Sequence, residues 1–434
     1  ANGTLGTAKT LEILNKGTIT VNGDTSVGIY GKTDKITGAH ASTNVTRANG
    51  LISNEGKITM TGNKAVGIVS NGLGNTVTLK GTGSSDIVIQ GTEGIGVYAE
   101  NSDVNLLTNY GIEVKDKGTG IFVKDGSNLS AGTLELKYSG TNTGTGVGLF
   151  YDNASGTSKT NNTNVNLVNS TGTTGGIIGI FANGGGTFTN NGAVSGTSAE
   201  KEFGIIGENT DVNNAGNITL GNASDLNKPN IGIYAKTNNT VTNTGNIIVG
   251  DKAVGIYGYG VNNTGNITTG SQGTAIYSQG GNINVTSGVL TMGQNSAVGI
   301  YTAGTGQNVN VANGVTMNIG SGSFGFANAG QGNHVTSNVN SVNLNGNSIY
   351  IYSRDNTGTV SNYTRLTANG VAGDNYGIYS AGTVNNYADM DLRNGAGNVG
   401  IYSTNGGTAS NVGGTITVGA SDTANSRYSI GMAA

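Results

Sequence analysis

Residues 253–268 read Ala253-Val254-Gly255-Ile256-Tyr257-Gly258-Tyr259-Gly260-Val261-Asn262-Asn263-Thr264-Gly265-Asn266-Ile267-Thr268. Two signatures share this stretch. One is an apolar residue, a Gly and an aliphatic residue, usually followed by an aromatic one. The other is Asn-x-Gly followed by a short β-branched run. Outward from here the first signature recurs in both directions, as Val27-Gly28-Ile29-Tyr30, Ile95-Gly96-Val97-Tyr98, Ile231-Gly232-Ile233-Tyr234 and Val399-Gly400-Ile401-Tyr402. Counting weakened copies such as Thr274-Ala275-Ile276-Tyr277 and a degraded Tyr428-Ser429-Ile430-Gly431, there are sixteen, spaced 20 to 39 residues apart with a mean of about 27. The second signature recurs at Asn15-Lys16-Gly17, Asn54-Glu55-Gly56, Asn190-Asn191-Gly192, Asn214-Ala215-Gly216 and Asn243-Thr244-Gly245. Runs that follow it, such as Thr18-Ile19-Thr20-Val21 and Lys57-Ile58-Thr59-Met60, alternate polar and apolar residues. That alternation marks a strand with one buried face.

A repeat of this size holds two or three strands of three to five residues joined by tight corners. It cannot bury its apolar face alone, so stacked neighbours must do it. The expected fold is all-β: a right-handed parallel β-solenoid of fifteen to sixteen coils of roughly 27 residues. Residues 1–434 form a single segment in this reading, with coils about 4.8 Å apart. Asn at the same corner of successive coils can stack as an amide ladder, and Gly supplies the positive φ that corners need. The single Pro229 sits in a polar stretch where a missing N–H harms no ladder. Extra residues in solenoids go into loops, often on the binding face. The longest spacings place candidate insertions at 31–50, which contains His40, at 151–164 and at 221–230.

Composition narrows the chemistry. Of 434 residues 78 are Gly, about 18%, and 62 are Asn, while charged residues make up 10%. Helix-favouring residues are sparse, and Gly costs about 1 kcal/mol at each position of a helix interior. Absence of Cys removes disulfides, thiolate metal sites and cysteine nucleophiles. Two His residues leave no room for a multi-histidine metal site, so no metal and no cofactor is expected. A net charge of −3 carries no nucleic-acid footprint, and no run of 18 apolar residues spans a membrane as a helix. The start of the chain lacks the apolar stretch of a signal peptide.

Strict period-two alternation puts the first and third residues of the tripeptide in the core, and Gly and the aromatic residue in solvent. The aromatic slot then forms an outward stripe. Its candidate binding residues are Tyr234, Tyr257, Tyr277, Tyr301, Tyr352, Tyr379 and Tyr402, with Tyr30, Tyr98, Phe122, Phe150 and Phe181 in the same slot. Recurrence in nearly every coil suits ladder stacking that stiffens the structure. Tyr also combines a flat apolar face with a hydrogen-bonding tip, which suits a platform for sugars or partner side chains. Catalytic motifs are missing: there is no Gly-rich phosphate loop ending in Gly-Lys-Ser/Thr and no repeating Ca²⁺ nonapeptide. Asp389 and Asp391 are a carboxylate pair on one strand-like run, with no matching pair one coil away. The chain is therefore expected not to be an enzyme.

As a pattern over nearly its whole length, the chain resembles the passenger region of type V autotransporter outer-membrane adhesins, in particular the very large fusobacterial ones. The pieces that carry this are Val261-Asn262-Asn263-Thr264-Gly265-Asn266-Ile267-Thr268, Ala253-Val254-Gly255-Ile256-Tyr257-Gly258 and Leu51-Ile52-Ser53-Asn54-Glu55-Gly56-Lys57-Ile58. The resemblance implies display at the bacterial cell surface, anchored through an outer-membrane translocator. It also implies attachment to host-cell receptors, glycans or other bacteria. No translocator is recognisable near Ala434, so a segment of a longer passenger is expected, without membrane insertion of its own. A purely structural stalk is the alternative, and a polysaccharide-cleaving β-helix enzyme a third reading.

Overall fold

The computed structural model describes residues 11–33, 50–83, 85–139, 144–153, 156, 158–169, 176–197, 201–235, 238–368, 370 and 372–434. They are strands and turns, with one 3-10 turn at Thr423–Asn425. The chain divides into two units, Ala1–Ser198 and Ala199–Ala434, and in each the strands wind as a parallel β-solenoid. About 26 residues make one turn, and about 13 turns are formed.

In the second unit a typical turn consists of Ile231–Ala235, Thr240–Asn243 and Ile247–Val249, followed by Val254–Gly258, Gly260–Asn263 and Ile267–Thr269. Like lies over like. The parallel register runs Ile233, Ile256, Ile276, Ile300, Phe326, Ile351, Ile378 and Ile401, with 20 to 27 residues per turn. Every one of these side chains is buried, and each contributes on the order of 1.5–3 kcal/mol by leaving water.

The first unit follows the same rule through Ile29, Ile68, Val97, Ile121, Leu149 and Ile180. Here, however, Val66–Leu79 and Ile95–Leu106 run for 14 and 12 residues, far beyond the three to five expected. They carry the ladder around a corner, and their register shifts between Asn71 and Asn75. Gly72 and Gly74 take φ of 139° and 84° at that shift, conformations in which a Cβ is strained.

Burial overturns the simple alternation expected for the tripeptide. In Val254–Gly258 the Gly, the Ile and the last residue are buried, while Val254 and Tyr257 are part-exposed. The same pattern holds in Thr274–Ser278, Val298–Thr302 and Tyr376–Ser380. So Gly points inward and the first residue outward, the reverse of the expectation. The strand bends at the Gly, which lets two successive residues face the interior. A Cβ on Gly255 would lie 2.6 Å from the Ala275 carbonyl oxygen and 2.7 Å from Ile267 Cγ2. Glycine is favoured because the next coil passes that close. Ala275 and Tyr350 occupy the same place with buried side chains, which confirms its inward aim.

Three smaller expectations also change. The last repeat aligns as Ile430-Gly431-Met432-Ala433 against Val399-Gly400-Ile401-Tyr402, two residues later than the tripeptide pattern places it. Of the 151–164 insertion, residues 154, 155 and 157 lie outside the described residues, and strands Lys159–Asn161 and Thr163–Asn169 pair in parallel with neighbouring coils. Residues 221–230 do form a turn around Asp225, with Leu226 exposed, but the turn is tied to its coil. Ala223 donates its N–H to the Asp251 carbonyl, and buried Asn230 accepts from the Glu202 N–H. Of the 31–50 insertion, 34–49 and hence His40 lie outside the described residues.

Candidate functional site

Two columns of side chains run along each unit, one outward and aromatic, one inward and polar. In the second unit, the bend at the Gly sends the fourth residue of each tripeptide outward over its counterpart one turn away. Tyr234, Tyr257, Tyr277 and Tyr301 form a continuous stack with ring centroids 4.9, 4.7 and 5.0 Å apart and interplanar angles of 26°, 4° and 10°. Tyr352, Tyr379 and Tyr402 form a second run at 5.3 and 5.0 Å. All seven candidate binding residues are part-exposed, so their outward placement agrees with the sequence. They do not form one unbroken stripe, because Ala327 takes the slot between Tyr301 and Tyr352. Phe324, the first residue of that tripeptide, instead meets Tyr352 edge-on at 6.0 Å. In the first unit Tyr98, Phe122, Phe150 and Phe181 stack at 5.3, 4.6 and 4.9 Å.

Stacking has an electrostatic consequence. Burial, followed by the neighbouring phenols Tyr277 and Tyr234, pushes the Tyr257 hydroxyl up to about 12. Tyr277 is raised as well, by burial and then by Tyr301. Tyr257 and Tyr277 therefore present neutral hydroxyl groups at physiological pH, while the ring faces of the column are largely taken up by one another. In the first unit Tyr98 donates to Glu100 at 3.1 Å, and Lys124 donates to the same carboxylate at 3.0 Å. That lysine contact holds Glu100 below the usual carboxylate range. Glu93 similarly lies between Lys64 and Lys117, at 3.6 and 3.5 Å.

Behind the surface runs the amide ladder. Asn214 donates to the Asn243 carbonyl oxygen and Asn243 to that of Asn263, both at 2.8 Å, and each donates its second amide hydrogen to the Gly carbonyl two residues on. Asn362, Asn386 and Asn411 repeat the device at 2.8 Å. Between these runs the same column holds Val285, Val311 and Ser337. Where an amide lacks a partner, a buried Tyr hydroxyl supplies one. Asn54 donates to Tyr110 at 2.8 Å, and Tyr151 donates to Asn161 at 2.9 Å. Tyr350 lies within hydrogen-bonding distance of Ser337 and Thr364, at 2.5 and 3.0 Å. Lone tyrosines away from the tripeptide gave no sequence signal for this role.

Asp389 and Asp391 are engaged structurally. Asp391 receives two hydrogen bonds from Arg393, at 2.8 and 2.6 Å, and Asp389 accepts the Thr415 N–H at 2.8 Å. Among the described residues no group of three or more acidic or histidine side chains is placed to hold a metal ion. The second His, His334, is an exposed strand residue beside Asn308 and Thr359. One feature escaped the sequence reading: Tyr363 and Tyr387 stack at 4.5 Å and 3°, and both are more exposed than the candidate tyrosines. They follow the ladder Asn of their coils, where no tripeptide marks them. No protein-family model, curated protein or solved structure matches this chain.

Proposed function

We propose that the chain is a segment of a surface-displayed bacterial adhesin passenger. In this reading its solenoid carries outward rows of tyrosine that attach the cell to a host receptor, a glycan or another bacterium. The observation that supports it is the register itself. Phenol hydroxyls Tyr234 to Tyr301 and Tyr352 to Tyr402 stand on one outward face at coil spacing, a repeated hydrogen-bonding edge that a multivalent surface can meet. Attachment of the immobilised chain to host cells, to bacteria and to a glycan array tests it. Binding to at least one, lost in a variant carrying Ser at Tyr257, Tyr277 and Tyr301, is the expected outcome. Silence on all three surfaces contradicts it.

A purely structural stalk is the second reading, favoured by one specific observation. The stacked rings cover each other's faces at 4.7 to 5.0 Å, as a stiffening ladder does. In that case Tyr257→Ser with Tyr277→Ser lowers thermal stability and leaves attachment unchanged.

A further inference from the structure

The Tyr363–Tyr387 pair lies at a place where the architecture does not ask for rings. Each residue follows the ladder position of its coil and donates its N–H to the ladder carbonyl one coil earlier. The same bond places Thr264, Thr286, Ala312 and Asn338 in this column before the pair, and Val412 after it. Small, polar or aliphatic residues serve the corner in those coils, so the fold tolerates it without an aromatic. In the pair itself the rings are centred 4.5 Å apart and lie within 3° of parallel. Ring carbons of one phenol therefore stand over those of the other at about that distance. Among the described residues no further ring stacks on either one, and no hydrogen bond holds either hydroxyl.

These features make the pair a place where oxidation can act. Tyr363 is 47% exposed and Tyr387 38%, so a one-electron oxidant reaches both. The chain has no Cys and no Trp, and Met60, Met292, Met317 and Met390 are buried. Side chains that usually compete for oxidants are thus absent or enclosed. Neither column neighbour, Asn338 or Val412, can form a phenoxyl radical, so a radical on one ring has the other ring as its phenol in contact. The outward row differs. Tyr257 is held between Tyr234 and Tyr277 at 4.9 and 4.7 Å, and it cannot tilt towards one without leaving the other. That row is also less exposed.

We propose that Tyr363 and Tyr387 are a dityrosine cross-linking site, at which hydrogen peroxide and a haem peroxidase staple two adjacent coils. Each phenol gives up one electron and its hydroxyl proton, which leaves two phenoxyl radicals. Tilting about the side-chain bonds brings an ortho carbon of each ring together, and one C–C bond forms. The hydrogen on each joined carbon then moves to the oxygen of its ring and restores both phenols. Two phenols and one H₂O₂ become one dityrosine and two H₂O, the peroxide taking both electrons and both protons. The staple closes the chain between residues 363 and 387 into a loop, which restricts the unfolded state as other cross-links do.

Treatment of the dilute full chain with a haem peroxidase and hydrogen peroxide tests it, followed by peptide mapping and by dityrosine fluorescence. Cleavage after Arg365 puts the two tyrosines on different peptides, so the linked pair is identified by mass and fragmentation. The expected product is a monomeric chain two hydrogens lighter, joined at Tyr363 and Tyr387, with a higher urea midpoint than the untreated chain. Tyr363→Phe and Tyr387→Phe keep the ring stack and the untreated midpoint, and each abolishes both the linked peptides and the gain on oxidation. Tyr428→Phe, which removes a phenol 53% exposed, leaves them in place. Linkage of Tyr257 to Tyr277 in preference to this pair overturns the site, and so does linkage only between separate chains. Absence of dityrosine under conditions that couple free tyrosine overturns it as well.

Discussion

Replacing Asn243 by Val isolates what the amide ladder contributes. Its side chain is fully buried, and it accepts from Asn214 at 2.8 Å and donates to Asn263 and the Gly245 carbonyl at 2.8 and 2.9 Å. Val fits the column by shape, because Val285 and Val311 already occupy it two and three coils from Asn243. The substitution therefore opens no large cavity and removes three hydrogen bonds. It leaves the Asn263 Oδ1 and the Gly245 carbonyl buried without this donor, and one Asn214 amide hydrogen without an acceptor. Each orphaned group costs about 1–3 kcal/mol, so a loss of about 3–5 kcal/mol follows after partial relaxation. Repeat arrays unfold locally, so hydrogen exchange by mass spectrometry is the suitable assay alongside urea denaturation. Protection is expected to fall in the coils around 240–267 and to hold near 376–402. Asn263→Val added to Asn243→Val is expected to cost less than the sum of the single changes, because the partner is then removed with its orphan. A loss under about 1 kcal/mol, or strict additivity of the pair, would refute the reasoning.

Other outcomes follow from the same geometry. Gly255→Val forces a branched side chain against the Ala275 carbonyl and Ile267 and is expected to cost about 1–3 kcal/mol by overpacking, read as a lower urea midpoint. Tyr257→Ser with Tyr277→Ser removes three stacked contacts worth about 0.5–1.5 kcal/mol each, and calorimetry should show a lower melting temperature. The chain should weaken in alkali. Tyr257 and Tyr350 ionise near 12 when folded, both raised by burial, against 10 as the ordinary value. The unfolded chain thus releases protons first, and stability present below pH 10 is lost as pH rises towards 12. A denaturation midpoint unchanged across that window counts against burial of these phenols. At the acid end the sign reverses for Asp355. Its burial is outweighed by the Asn333 N–H and by the amide and hydroxyl of Thr357, which hold it below the usual range. Asp355→Asn should therefore flatten the acid side of the stability profile, followed by circular dichroism.

What could be read from the chain and what could not divide along physical lines. Stacking in register was legible, because a coil cannot bury Ile256 unless Ile233 and Ile276 lie on either side of it. The Asn ladder was legible for the same reason: an inward amide recurring before a Gly needs partners along the axis. The facing of Gly255 was not, because alternation assumes a straight strand and this one bends at the glycine. Register of the last copy slipped by two residues, since Ser429 and Met432 blur the tripeptide there. The buried hydroxyls of Tyr110, Tyr151 and Tyr350 sit where the amide column is interrupted. Their partners lie 56, 10 and 13 or 14 residues away, so no local pattern announces them. The seven outward tyrosines were found because they recur, and Tyr363 and Tyr387 escaped because they do not.

The claim on which everything depends is that outward tyrosines of successive coils lie directly over one another. The chain has no Cys, so paired substitutions test this without background. Tyr257→Cys with Tyr277→Cys places two thiols on adjacent coils about 4.8 Å apart at the backbone, within the about 4.4–6.8 Å span that a disulfide bridges. Tyr257→Cys with Tyr301→Cys places them two coils apart, roughly 9.6 Å, beyond that span. Mild oxidation should close an intramolecular disulfide in the first pair and none in the second. No closure in the adjacent pair, or equal closure in both, would contradict the stacking.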